Sequence, residues 1–378
     1  MDFIFLKVLS ISIIQGVMEW VPISSSGLLI VLEEILNMNN KIFNLNLNIT
    51  VHFGSLLAVL FFFSKEITKI FNNRKLLFNI FVARNEESLN QNGHILAMSS
   101  AASSLNRFSA TTYQMSGMQM LNKSKEAISK IKNVSDATDV INILKSIHSK
   151  VLHKPFKIFT ACSPKALQNL SKEFKNTQDD AMQDLLEPIN NQIAWITGSQ
   201  VCYCAEAFQG VSRQHPDAAA LSVLATVLRN GFLHTAIREK GGAYGAGATN
   251  DTATNTFKFF SYRDPKCTET FSAFREAIEW SKTSITDQHL EEAILGVVSS
   301  IDKPLSPVGE AKNDFNFNLE DISTKERLKM RQRVINCSID DLIRVSEKYL
   351  TKPSKKSILA GKAFSEEASS LGLNLREI

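Results

Sequence analysis

The strongest constraint on this chain is a step in charge density near residue 80. From Met1 to Phe63 the only charged residues are Asp2, Lys7, Glu19, Glu33, Glu34 and Lys41, whereas from about Phe81 onward charges are frequent and mixed in sign. The overall hydrophobic content of 44% is ordinary for a globular protein and hides that step. The pattern predicts two unrelated pieces, a membrane-type apolar segment and a water-facing α/β part, in a chain of 378 residues that has room for two or three domains. The net charge of +4 is modest, and no basic stripe is interleaved with aromatics. There is thus no case for a nucleic-acid partner.

Apolar runs cover 3–17, 23–36 and 49–63. Each falls short of the roughly 20 residues of a straight spanning helix, so broken or re-entrant helices are expected. Between the first two runs lies Pro22-Ile23-Ser24-Ser25-Ser26-Gly27, preceded by Glu19. Free N–H groups at a broken helix attract anions, and serine hydroxyls add donors. A carboxylate in an apolar segment points to function, but a plain helix break between two core helices fits the same residues. Lys65, Lys69, Arg74 and Lys75 follow the third run, which puts the remainder on the cytoplasmic side if the segment inserts.

The stretches QGVMEWVPISSSGLLIVLEEIL and ITVHFGSLLAVLFFFSKEI resemble the start of the undecaprenyl-diphosphatase family, membrane enzymes that dephosphorylate a lipid carrier. The resemblance covers residues 1–80. It implies that Glu19 and Ser24, Ser25 and Ser26 are remnants of half a phosphatase site. Gln15 stands where many members have a second Glu, and Leu28 where the family usually has His. Leucine neither transfers protons nor attacks phosphorus. The family's distal Arg-bearing serine motif has no counterpart after residue 80, so no phosphatase activity is expected.

Beyond residue 81 the periodicity predicts a surface helix over 121–144 and a strand, turn and helix start over 154–167. A domain boundary is expected near Pro188. Next come a strand at 200–208, a helix opened by Pro216 and stopped by Gly241-Gly242, a strand at 256–262, helices at 268–282 and 286–301, and a final strand at 356–360. The expected fold class is α+β, with helices layered on a mostly antiparallel sheet. Five cysteines are present, and Cys202-Tyr203-Cys204 has no second pair at zinc-finger spacing. Two residues apart on a strand, both thiols face one side, and buried reduced thiols are expected.

The sharpest chemical feature is REKGGAYGAGA, from Arg238 to Ala248. No Gly-Lys-Ser/Thr follows, and the order is helix to strand, so a phosphate cradle is not expected. Gly241, Gly242 and Gly245 form either a helix cap and turn or a place where a peptide substrate approaches. In the second reading Arg238 and Tyr244 donate to its carbonyls or to an oxyanion.

This stretch, with LNQNGHILAMSSAASSL, FKFFSYRDPKCTETFSAF and SSIDKPLSPVGEAK, resembles the C-terminal half of the presequence protease family, zinc metallopeptidases of the pitrilysin group. The resemblance implies residues 81–187 as part of a third domain and 188–378 as the fourth. It also implies Arg238 and Tyr244 as substrate and transition-state binders, because family members use an Arg and a Tyr six residues apart. The family's zinc motif is His-x-x-Glu-His, and none of His52, His94, His148, His153, His215, His234 and His289 stands in one. The expectations are therefore no metal and no cofactor in this chain, with zinc bound by a separately encoded half, and a peptide substrate. Membrane attachment through residues 1–80 would leave the peptidase part cytosolic, and little activity is expected of the chain alone. A membrane phosphatase and a non-functional fusion fragment remain the alternatives.

Overall fold

The computed structural model describes residues 91–120, 122–123, 141–149, 186–188 and 192–377, with Lys65, Leu89 and Glu126 as single positions. The chain divides into two compact units, Met1–Glu87 and Ser88–Ile378. The sheet and its covering helices belong to the second. The three apolar runs, Glu19, Ser24, Ser25, Ser26 and the elements expected over 154–167 lie outside the described residues.

Six strands form one sheet: β1 (Ile193–Thr197), β2 (Tyr203–Gln209), β3 (Gly245–Asp251), β4 (Thr256–Tyr262), β5 (Lys355–Gly361) and β6 (Asn374–Glu377). Their spatial order is β3-β4-β2-β5-β1-β6. The pairs β3/β4, β4/β2 and β2/β5 are antiparallel, while β5/β1 and β1/β6 are parallel. The sheet is thus mostly antiparallel and carries helices, as expected of the α+β class. β5 is not the last strand. β6 comes after it as an edge strand with all four residues exposed, and so had no apolar pattern to announce it.

Both faces of the sheet are covered, which explains why the central strands read as apolar runs. Side chains alternate between two cores. Ala194, Ile196, Cys202, Cys204, Phe208, Phe257, Phe259, Ile358 and Ala360 enter the larger one. Ile193, Trp195, Tyr203, Ala205, Ala207 and Leu359 enter the other.

The second face is closed by helix α1, residues 91–102, and helix α2 (Arg107–Ser116). Ala97, Ala101, Ala102, Tyr113 and Met118 pack there. Trp195 donates from Nε1 to the Ser100 hydroxyl at 3.2 Å. Gly93 is required at the crossing, because a Cβ there would lie 2.7 Å from the Tyr203 ring.

The first face carries α3 (Ala218–Leu228), whose AAALSVLATVL is apolar all round and buries nine residues, as a helix between layers must. Around it stand α4 (Thr268–Thr283), α5 (Asp287–Ile301), α6 (Pro307–Leu319), α7 (Thr324–Ile335) and α8 (Ile339–Val345). α3 does not begin at Pro216, which sits just ahead of the cap residue Asp217. The Asp217 carboxylate is buried and accepts from Arg344 Nη1 at 2.8 Å, Lys348 Nζ at 2.7 Å and the Tyr349 hydroxyl at 2.7 Å. Burial alone would push this carboxyl up. The bonds from Lys348, Tyr349 and Arg344 outweigh it and hold the group well below the usual carboxylate range. The start of α3 is thereby tied to the end of α8. As a continuous helix Ala218–Glu239 has 22 residues and an 18-residue stretch of mean hydropathy 1.2, the one helix among the described residues long and apolar enough to cross a bilayer. It is the core helix of this fold.

Candidate functional site

After Leu228 the main helix continues to Glu239 in π-helical register, which occurs in proteins mostly as short bulges near functional sites. Lys240 N–H, for instance, bonds Thr235 O, five residues back, at 3.0 Å. The expected helix is therefore present, but its second half is wound more widely than an α-helix. The cause of its end is local. Gly242 has φ +87°, its N–H bonds Arg238 O at 3.1 Å, and Ala243 N–H bonds Ile237 O at 3.1 Å. Gly242 in the left-handed position closes the helix with the single C′ bond of the αL motif, and the Ala243 bond reaches six residues back, one more than in a Schellman cap, as a π-wound end requires. A Cβ at Gly241 would lie 2.3 Å from Ile237 O. Gly241 and Gly242 thus make the cap, and Gly245 begins β3 with only Tyr262 Cβ near its would-be methyl, at 3.9 Å.

The cap sets Arg238 and Tyr244 on either side of one tight turn. Arg238 is exposed, and its Nη1 lies 3.1 Å from His234 Nε2. His234 Nδ1 in turn lies 3.3 Å from Glu239 Oε1. With Arg238 donating to Nε2, the His234 imidazole orients the guanidinium while its Nδ1 faces the Glu239 carboxylate. Tyr244 is 68% exposed. Its N–H bonds Arg263 O at 3.3 Å, and its ring meets Tyr262 edge-on at 5.5 Å.

Tyr262 joins this turn to the other layer. It contacts His94 of α1 at 4.9 Å and Tyr203 at 5.7 Å, and the Arg263 guanidinium lies 5.6 Å above its ring. His94 also meets Phe260 at 5.5 Å. Burial pushes the His94 imidazole below its ordinary value, which keeps it neutral at pH 7. Its Nδ1 is buried with no hydrogen-bond partner among the described residues. His94, Tyr262 and Arg263 were not singled out from the sequence. A Gly-His pair on a small-residue helix was the available signal for His94. Nothing local marked the other two, because their positions result from the β3/β4 pairing.

β3 is an outer strand, and among the described residues its far edge is unpaired. An open strand edge, an oriented guanidinium and a phenol together offer the donors an extended peptide backbone accepts. The hairpin behind is firm: Asp251 Oδ1 accepts from Ala253 N–H and Thr254 N–H, both at 3.1 Å, and its Oδ2 accepts from Lys258 Nζ at 2.7 Å. A cavity of about 520 Å³ lies elsewhere, among Arg213, Arg229, Asn230, Asn250, Ser300 and Met330, and includes neither Arg238 nor Tyr244.

Both resemblances read from the sequence are shown. Residues 194–359 match the family described as the PreP C-terminal domain, and residues 8–105 match Bacitracin resistance protein BacA. The second match runs past residue 80, and its last residues include α1, which packs on the sheet. The chain is 30% identical over 290 residues to the mitochondrial presequence protease of Eremothecium gossypii, covering 70% of this chain and 28% of that protein. It is 41% identical over 152 residues to the one from Xenopus tropicalis, covering 40% and 14%. A solved protease from Helicobacter pylori overlays with a TM-score of 0.45 at 19% identity, over 53% of each chain. The chain spans less than a third of the length of the curated relatives it matches.

Proposed function

We propose that residues 81–378 are the substrate-binding, chamber-closing part of a presequence-protease-like zinc peptidase, with 81–187 belonging to its third domain and 188–378 forming its fourth. The zinc ligands come from a separate half, since no histidine of this chain stands in His-x-x-Glu-His. Arg238 and Tyr244 bind the substrate peptide and donate to the oxyanion formed on its scissile carbonyl. Gly245 keeps the strand edge low enough for the peptide to lie along β3. The observation that supports this reading is the cap at Gly242, where the chain turns from Arg238 through Tyr244 directly into the outer strand β3, within a region matching the PreP C-terminal domain. Residues 1–80 anchor the chain to the membrane and leave the peptidase part in the cytosol. Alone, the chain is inactive.

The test is complementation. The full chain in detergent is mixed with the zinc-binding half of the Eremothecium gossypii protease, and cleavage of a presequence peptide is followed. Activity absent from either component should appear in the mixture. Arg238→Ala and Tyr244→Phe should each lower it roughly 10²–10³-fold, the usual cost of one oxyanion donor, with unchanged melting because both side chains are exposed. Full activity in both variants would refute the assignment.

The match of residues 8–105 to BacA favours a second reading, a membrane lipid phosphatase using Glu19, Ser24, Ser25 and Ser26. Leu28 and Gln15 argue against turnover. Release of phosphate from a polyprenyl diphosphate by the purified chain would support it. A chain inactive in both assays, with every partner tried, is a fusion without function.

A further inference from the structure

Three thiols meet inside the larger core. Cys202 and Cys204 point to the same face of the sheet, as two strand positions apart must. Cys267 comes from the loop after β4 and is the residue that caps α4. All three are buried, and their sulfurs lie within 4.8 Å of one another. The Sγ···Sγ separations are 3.7 Å for Cys202–Cys204 and 3.9 Å for Cys204–Cys267. Sulfurs bound at about 2.3 Å to one ion are about 3.8 Å apart in a tetrahedral site and about 4.0 Å apart in a trigonal one. Two of the three separations already stand at ligand spacing, and the third, Cys202–Cys267, is within 4.8 Å.

The surroundings hold that spacing. Cys202 and Asp264 exchange both backbone hydrogen bonds, each 2.8 Å. The Asp264 carboxylate accepts from Lys266 N–H at 2.9 Å and from the Thr270 hydroxyl at 2.6 Å. These bonds fix the short loop from which Cys267 projects. They also occupy the Asp264 carboxylate, and among the described residues no fourth His, Cys, Asp or Glu joins the group.

We propose that Cys202, Cys204 and Cys267 form a closed, three-coordinate site for a soft thiophilic ion of the copper(I) class, clamping β2 to the start of α4. Three sulfur ligands without a fourth suit copper(I) better than zinc, which takes four ligands in structural sites. Binding converts Cu⁺ and three thiols to a tris-thiolate complex, releasing three protons to solvent, with no change in oxidation state. The site has no open position and takes no part in peptide cleavage, so it stands apart from the function proposed above.

The test uses the full chain, reduced and anaerobic in detergent, titrated with copper(I) held by bicinchoninate. One equivalent should transfer to the protein, its melting temperature should rise, and X-ray absorption should show three sulfur neighbours. A Cys162→Ser, Cys337→Ser double variant should behave identically. Cys202→Ala and Cys267→Ala should each lose at least 100-fold in affinity while keeping the far-ultraviolet dichroism of the parent. Copper remaining on bicinchoninate would overturn the proposal. So would uptake undiminished in both alanine variants, two rather than three sulfur neighbours in the parent, or preferential uptake of zinc(II). If the alanine variants unfold, the sulfur count on the unsubstituted chain decides alone.

Discussion

Replacing Asp217 by alanine probes how the main helix is anchored. The carboxylate is 4% exposed and accepts bonds from two cations and a phenol. Charge-assisted hydrogen bonds contribute about 1.5–3 kcal/mol each in stability measurements, and an unpaired buried hydroxyl costs about 1–3 kcal/mol. The cationic bonds must be discounted, because the Arg344 and Lys348 side chains are each 48% exposed and regain water. The Tyr349 hydroxyl cannot, since that residue is 5% exposed. The expected loss is about 2–4 kcal/mol, near the lower end of what breaking a buried pair costs. Urea unfolding followed by tryptophan fluorescence measures it, with Trp195 buried in the sheet as reporter. The pH dependence supplies the sign. A carboxyl depressed in the folded state adds stability above its unfolded value of about 3.9, and that stability is lost as pH falls through the folded value. Asp217→Asn should therefore flatten the acid limb of the stability curve below about pH 4. A loss under about 1 kcal/mol at pH 7, with an unchanged acid limb, would falsify the anchoring argument.

Gly242→Ala should cost about 1–2 kcal/mol, the penalty of a left-handed L-residue, and Gly241→Ala should cost more because its methyl group meets Ile237 O; thermal melts rank the two. His94 should titrate below its ordinary value of about 6.5, as imidazole proton shifts would show. Its depressed value means stability is present above about pH 6.5 and falls as the pH drops. His94→Gln should remove that slope.

Legibility in the sequence tracked the strength of local signals. The strands at 200–208, 256–262 and 356–360, the alanine-rich helix and the helices α4 and α5 were readable because each carries its own periodicity or stop signal. Helices α6, α7 and α8 were passed over although their caps were written plainly. Ser306 precedes Pro307, Ser323 forms a capping box with Glu326, and Ser338 forms one with Asp341. α6 buries no residue, so it has no apolar stripe to detect. β1 is a five-residue apolar run, and such runs are ambiguous between strand and buried helix. At the candidate site, Arg238 and Tyr244 were readable from the glycine-rich stretch they flank as well as from a resemblance, and the cap from glycine chemistry. The aromatic bridge from Tyr244 through Tyr262 to His94 had no local signature.

By itself, then, the sequence determined the step in charge density near residue 80, the α+β character of the part beyond it, and the turn between Arg238 and Tyr244. These depend on charge density, periodicity and glycine's freedom at positive φ, all properties of neighbours along the chain. Only the tertiary structure decided that β1 lies parallel to β5 and β6, that α1 seals the second face of the sheet, and that Cys267 meets Cys202 and Cys204. Each of those pairs residues far apart in sequence, and their meeting is selected by burial of both sheet faces at once, a condition no single segment contains.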